Sequence, residues 1–353
     1  MVADKREKIA IDVNKNKRPC FIIAEAGVNH NGDVNLAKKL IDAAREAGAD
    51  AVKFQTFKAE KLLIENAEKP EYQKETTSSG ESQFEMIKKL ELSNEDFGEL
   101  FLYAKEKGII FLSTPFDRES VDLLDELGVS AFKVGSGEMT NYPLLKHIAR
   151  KKKPIILSTG MATLDEVREA IEVIREEGGE DITLLHCISS YPAKVEEMNL
   201  RAIETLRSTF NLPVGLSDHS LGINIPIAAA ALGACIIEKH LTIDRNLPGL
   251  DHKASLEPGE LKQMVTAIRQ VESAMGNGIK RPVAGEEENK RLGRRSVVAK
   301  VDIAEGTTIT DEMLDVKRPG TGIEPKHIHM VIGRKAKKDI KKDELINLEL
   351  IVP

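Results

Sequence analysis

Two short stretches of the chain close on an imidazole. GLSDHS (215–220) and IIEKHLT (236–242) each begin as an apolar run and turn polar, placing His219 and His240 at matching positions. Two imidazoles presented by neighbouring strand ends can grip one divalent ion and leave its other positions to water and substrate oxygens, an open and catalytic type of site. Taken singly, either histidine reads as a hydrogen-bonded core residue; the matched placement is what favours a metal. Manganese is the first expectation, because mixed imidazole, carboxylate and water coordination suits it, with cobalt or magnesium as alternatives. His30, His147, His186, His252, His327 and His329 lack such pairing and are expected to be ordinary hydrogen-bonded side chains.

The lysines point the same way. Lys53 lies inside AVKFQTF (51–57) and Lys133 inside AFKVGSG (131–137), both strand-like runs where an ammonium is costly unless it meets an anion. With the hydroxyls of Thr114, Ser136, Ser158 and Ser217 and the glycine-rich backbone of VGSGE, they would form a pocket for phosphate and carboxylate groups. Gly135 and Gly137 alone carry little weight, since a tight strand-to-helix turn needs them equally.

The elements that would position these groups are eight apolar runs of strand length, at 21–27, 51–57, 109–115, 131–137, 154–160, 183–192, 213–220 and 235–242. Between them lie amphipathic segments such as NLAKKLIDAAREAG, RESVDLLDELG and TLDEVREAIEVIREEG, with apolar positions three and four apart and Gly at the stops. Strand-helix units repeated in this way predict an α/β fold, the (β/α)8 barrel, with a doubly wound open sheet as the alternative. Along the runs the first residues are aliphatic and the last are polar: Glu25, Lys53, Gln55, Thr114, Lys133, Ser136, Ser158, Ser189, Tyr191, Ser217, His219, Glu238 and His240. In a barrel all of these converge on the rim where the active sites of such enzymes sit.

The chain has 353 residues, a formal charge of −6 and a pI near 5.9, so it offers no basic face for nucleic acid or anionic lipid. No polymer partner and no membrane are expected. The charged opening MVADKREKIAIDVNKNKR has no apolar secretion segment, and a cytoplasmic setting follows. Cys20, Cys187 and Cys235 are widely spaced and form no Cys-x-x-Cys pair, and they are expected as reduced core fillers. Two unequal domains are expected: a barrel over 1–275, a Gly-, Pro- and charge-rich linker over 276–294, and a compact loop-rich domain over 295–353, where short alternating segments replace long helices.

The motifs FIIAEAGVNHNGD, DAVKFQTF, LSTPFD, FKVGSGE, LSTGMAT, LHCISSYP, GLSDHS, EKHLT, RRSVVAKVDIAEG and VKRPGTGI occur in that order from Cys20 to the C-terminus. In these the chain resembles the sialic acid synthase family, which covers N-acetylneuraminate synthase and synthases of legionaminic and pseudaminic acids. The resemblance implies a barrel followed by a small SAF (antifreeze-like) domain, and a domain-swapped homodimer. It also implies a reaction of phosphoenolpyruvate, an N-acylated mannosamine-type sugar and water, giving a nonulosonic acid and phosphate. It assigns His219 and His240 to the metal, with Glu238 ordering a bound water. Lys53, Thr114, Lys133, Ser136, Ser158 and Ser217 would hold phosphoenolpyruvate. Glu25, Gln55, Tyr191 and Asp251 would face the sugar and the reacting centre, with Ser189 beside the sugar and Glu138 a further acid nearby. Arg318 would reach the acylamino sugar in a partner's barrel.

Two features bear on the sugar. Some N-acetylneuraminate synthases carry Asn-Ile-Tyr-Pro where this chain has Ser189-Ser190-Tyr191-Pro192, and the segment EYQKETTSSGESQFEMIKKLELS (71–93) leaves room for a diacetamido-trideoxyhexose. Two other classes stay open: an aldolase using Lys133 or Lys53 as a Schiff base, and a non-catalytic sugar-binding protein.

Overall fold

The structure is a computed structural model that describes residues 19–69 and 81–352. The charged N-terminal opening, and residues 70–80, which include the first ten of the segment 71–93, lie outside the described residues.

The chain divides into two compact units, Met1–Gly276 and Asn277–Pro353. The larger holds eight strands: β1 (Phe21–Gly27), β2 (Ala51–Thr56), β3 (Ile110–Pro115), β4 (Phe132–Val134), β5 (Ile155–Ser158), β6 (Ile182–Cys187), β7 (Val214–Asp218) and β8 (Ile236–His240). Their hydrogen-bonded order is β3-β2-β1-β8-β7-β6-β5-β4, parallel throughout. First and last strands are thus paired, with Phe21 opposite Ile236 and Glu25 opposite His240, and the sheet curls into a barrel that lacks only the β3–β4 ladder among the described residues. This is the expected barrel rather than an open doubly wound sheet, whose first and last strands would not pair.

The helices are α1 (Val34–Ala47), α2 (Ala59–Leu62), α3 (Gln83–Lys88), α4 (Asn94–Lys107), α5 (Arg118–Leu127), α6 (Tyr142–Ala149), α7 (Leu164–Glu176), α8 (Ala202–Phe210), α9 (Asn224–Ala231) and α10 (Pro258–Met275); α2 and α3 pack together at the strand ends, and the others cover the barrel's outside. Their ends follow local chemistry. Thr163 and Glu166 close a reciprocal capping box at the start of α7, and Gly48 stops α1 at φ 84°, a left-handed conformation that costs other residues energy. Strand period two then sorts the side chains. Ile22, Ala24, Val52, Phe54, Phe111 and Leu184 face outward into one continuous core with the helices, while Ile23, Ala51, Leu112, Ala131, Ile156, Leu185 and Ile236 fill the base of the barrel's interior.

The smaller unit has its own core, built from Val297, Ile303, Ile309, Leu314, Val331, Ile340, Ile346 and Ile351 around the antiparallel pair β9 (Ser296–Ala299) and β10 (Leu314–Lys317). The stretch expected as a linker carries a short helix, α11 (Glu287–Gly293). Among the described residues no helix is long and apolar enough to cross a membrane.

Candidate active site

Inward-facing residues just beyond the apolar base open onto a cavity of about 740 Å³ at the carboxyl ends of the strands. Glu25, Lys53, Gln55, Thr114, Lys133, Ser136 and Ser158 line one part of it. Ser189, Tyr191, Ser217, His219, Glu238, His240 and Asp251 line the rest. Residues more than two hundred positions apart meet there because β1 and β8 are neighbours in the ring.

The cavity floor is a compensated charge network. Lys53 Nζ lies 2.6 Å from Glu25 Oε2, 4.0 Å from Glu238 Oε2, and donates to Thr114 Oγ1 at 3.0 Å. Lys133 Nζ donates to Ser158 Oγ at 2.8 Å and to the Val134 carbonyl at 3.3 Å, and sits 3.4 Å from Glu238 Oε1. Ser217 Oγ donates to that same Glu238 oxygen at 2.9 Å, and Gln55 Nε2 donates to Glu25 Oε1 at 3.1 Å. Both lysines and both acids are almost wholly buried, so each charge depends on its partners.

That dependence separates the groups. Burial opposes ionisation of Glu238, yet Lys133 and Lys53 hold its pKa below the ordinary carboxylate value. Glu25 goes the other way, because burial outweighs the pull of Lys53 and raises its pKa. Burial lowers the Lys133 pKa despite Glu238, whereas Glu238 and Glu25 overcome burial and raise that of Lys53. One carboxyl is thereby tuned towards carrying a proton and the other towards staying charged, the division of labour expected of acid-base sites.

The paired histidines meet as expected. Their ring centroids are 5.3 Å apart, and Tyr191 lies against His219 at 4.1 Å and edge-on to His240 at 5.9 Å. His219 Nδ1–H donates to the Ile188 carbonyl at 2.7 Å, which leaves Nε2 as the nitrogen that could serve a cation. His240 Nδ1 is buried without a hydrogen-bond partner, 3.7 Å from Asp251 Oδ2. Burial, with His219 and Lys53 adding to it, keeps His240 far below its ordinary pKa and therefore neutral, the form a metal ligand needs. Burial also pushes Asp251 up to about 6. No group of three or more His, Cys, Asp or Glu side chains that could hold a metal is present among the described residues. The donor set is two imidazoles, which fits a cation completed by water and substrate oxygens.

Two expectations change, those for Glu138 and Cys187. Glu138 does not line the cavity: it falls in a 3-10 turn after β4, and its carboxylate accepts from Asn141 Nδ2 at 2.6 Å. Arg318, expected to act on a partner's barrel, is an exposed residue of the smaller unit, and that expectation is unchanged. Cys187, expected as a core filler, lines the cavity with its Sγ 3.8 Å from His219 Nδ1. Its place two residues after Leu185 on an inward-facing register was the available signal. Not foreseen was an apolar wall of Leu62, Leu63, Ile87, Phe116, Met161 and Leu250, supplied by α2, α3 and the loops above the strands. Four of the other histidines are hydrogen-bonded as expected: His186 to the Met198 carbonyl, His147 to Asp122, His252 to Thr242, and His30, whose Nδ1 accepts from the Gly32 amide at 3.0 Å.

A (β/α)8 barrel carrying a buried, charge-tuned cavity at its strand ends has the architecture of the barrel enzymes. Residues 40–280 match the NeuB family and residues 294–352 match the SAF domain. The chain belongs to the NeuB family. It is 54% identical over 328 residues to an N,N'-diacetyllegionaminic acid synthase of Campylobacter jejuni, covering 92% of this chain and 98% of that protein. It is 41% identical to the human N-acetylneuraminate-9-phosphate synthase, covering 95% and 93% respectively. Among solved structures, an N-acetylneuraminic acid synthetase of Leptospira borgpetersenii superposes with a TM-score of 0.68 at 39% identity, covering 77% of this chain and 90% of that one.

Proposed function

We propose that the protein is a sialic-acid-type synthase, condensing phosphoenolpyruvate with N-acetylmannosamine or a related acylamino sugar and water to give a nonulosonic acid and phosphate. The observation that carries this reading is the pair of buried lysines, Lys53 and Lys133, held among hydroxyls and two differently tuned carboxyls in one cavity. Lys53, Lys133, Thr114, Ser136, Ser158 and Ser217 bind the phosphate and carboxylate of phosphoenolpyruvate. The Gly160 amide, which donates to Ser136 Oγ at 3.0 Å, fixes that hydroxyl in place. Gln55, Ser189, Tyr191 and Asp251 orient the sugar, with its aldehyde carbon towards C3 of the enol.

In the reaction C3 attacks the aldehyde carbon, whose oxygen takes up a proton to become a hydroxyl, water adds at C2, and the tetrahedral intermediate collapses to the C2 ketone as the C2–O bond breaks and phosphate leaves with the C2 hydroxyl proton. Glu25 accepts the proton of that water, as its raised pKa suits it to do. Glu238 stays ionised and stabilises positive charge developing at C2. His219 and His240 would hold a divalent cation, manganese first and cobalt or magnesium as alternatives, which when bound supplies Lewis-acid polarisation of the aldehyde oxygen.

The test is a panel of acylamino sugars assayed with phosphoenolpyruvate, reading phosphate release and product mass with and without chelation and metal add-back. Stoichiometric phosphate and a nonulosonic acid, lost on chelation, are expected. Phosphoenolpyruvate labelled with ¹⁸O at the bridging oxygen should deliver its label to phosphate. Covalent trapping by borohydride with pyruvate would point instead to a Schiff base on a lysine.

A diacetamido-trideoxyhexose is the favoured sugar within this reading. The apolar wall suits a methyl and a second acyl group, and the higher identity is to a diacetyllegionaminic acid synthase. Its kcat/KM should exceed that of N-acetylmannosamine; the reverse order would assign the N-acetylneuraminate reaction. A homodimer in which Arg318 of one subunit reaches the sugar in the other's barrel completes the proposal, and exposure of Arg318 supports it. Mixing Arg318→Ala with His219→Ala chains under subunit exchange should restore activity that neither homodimer has. The acidic charge and free thiols support a cytoplasmic setting.

A further inference from the structure

The most buried charged pair of the barrel is not in the cavity. Lys239 and Asp218 precede His240 and His219 by one residue each, so strand alternation turns them outward as the histidines turn inward. They lie opposite one another in the β7–β8 ladder, and both side chains are fully buried with Lys239 Nζ 2.6 Å from Asp218 Oδ2. Lys239 Nζ also donates to the Ser220 carbonyl, and Asp218 Oδ1 accepts from the Ser220 amide at 2.9 Å. The single ammonium on β8 therefore ties down the residues on both sides of His219. His219 itself is anchored at its carbonyl by the Ala193 amide at 2.9 Å, and His240 by the Leu256 amide at 2.8 Å.

We propose that the Lys239–Asp218 pair is a positioning device that fixes the separation of the two imidazoles from behind the strands. A salt bridge that served only to hold β7 to β8 would need no second bond to the Ser220 carbonyl, since the backbone ladder already joins the strands. Buried ion pairs are poor sources of stability compared with apolar side chains of the same size, and setting a register is their best-attested use. Here the register being set is that of the two imidazoles, 5.3 Å apart. The inference rests on the reading of His219 and His240 as a metal pair.

The experiment compares the full-length wild type with Asp218→Asn/Lys239→Met, which removes both charges while Asn still accepts from Ser220. Manganese affinity is measured by the EPR signal of free Mn²⁺, thermal stability by calorimetry, and KM for phosphoenolpyruvate by phosphate release at saturating metal. The expected result is a folded protein whose Mn²⁺ affinity falls on the order of 10–100-fold, as for lost outer-shell support of a metal ligand. KM for phosphoenolpyruvate should hardly move, and Lys239→Arg should recover part of the affinity. Unchanged Mn²⁺ affinity in the folded double variant overturns the proposal. If the double variant does not fold, Asp218→Asn decides by the same measurement, a loss of five-fold or more supporting the proposal and a smaller one overturning it. A wild type that binds no Mn²⁺ defeats the metal reading and this inference together, whereas equal binding by wild type and variant defeats the inference alone.

Discussion

The two ends of the barrel interior differ by a step of two residues along the same strands. Ile23 is followed by Glu25, Ala51 by Lys53, Leu112 by Thr114, Ala131 by Lys133, Ile156 by Ser158, Leu185 by Cys187 and Ile236 by Glu238. Two residues of strand rise only about 6.6 Å. Below that step the interior is an apolar plug whose free energy comes from leaving water; above it, buried charges are tolerated because each has a partner. The same inward register thus serves stability at one end and chemistry at the other, and a single substitution at either end that strands no buried charge should damage mainly one of the two.

The largest effect belongs to the histidines. His219→Ala or His240→Ala should lower turnover by on the order of 10³ or more, several kcal/mol of transition-state stabilisation, with little change in melting temperature. Turnover of the purified variants after chelation and metal add-back, alongside calorimetry, checks both halves, and near wild-type rates would remove the histidines from the mechanism.

A variant that crosses the division comes next. Lys53→Met strands the Glu25 carboxylate and should cost about 3–5 kcal/mol of stability as well as activity. Adding Glu25→Gln should return most of the stability and none of the activity, as read by urea denaturation and phosphate release. If the double variant stays as unstable as the single one, the network is not held by charge compensation.

At the base, Leu185→Ala or Ile156→Ala should cost about 2–5 kcal/mol while leaving kcat/KM per folded molecule within a few-fold of wild type. A large activity loss there would show that the two layers are coupled.

The smallest effect concerns buried histidines without the compensation the lysines enjoy. Burial pushes His30 and His252 down to about 4, below the ordinary 6.5 that the unfolded chain retains. The unfolded chain takes up these protons first, so the stability they allow is complete above pH 6.5 and is lost as pH falls towards 4. His30→Gln should flatten the fall in melting temperature across that window, removing about 1–3 kcal/mol of pH-dependent destabilisation. An unchanged profile would mean that His30 is not buried neutral.

Much of this was written in the chain. Aliphatic runs that turn polar before each loop marked the strands and their direction, and placed Lys53, Lys133, Ser217, His219, Glu238 and His240 at the strand ends that converge on one rim. The residue types set what chemistry the rim can do, because an ammonium or imidazole at a buried strand end has few other uses. Other features came only with closure of the ring. Lys53 meets Glu238 across 185 positions of sequence because β1 and β8 pair and β2 follows β1, and Glu238 is held below the ordinary carboxylate pKa while Glu25 is raised because Lys133 and Ser217 stand beside Glu238 in addition to Lys53. Glu138 turned away because a short 3-10 turn after β4 rotates successive side chains off the strand's alternation, and Cys187 faces the cavity because β6 keeps that alternation to its last residue. The sequence by itself determined which side chains share a face and which groups the rim contains. Only the tertiary structure decided which of them touch, because Coulomb and desolvation energies depend on distance and burial, and the folded ring alone sets both.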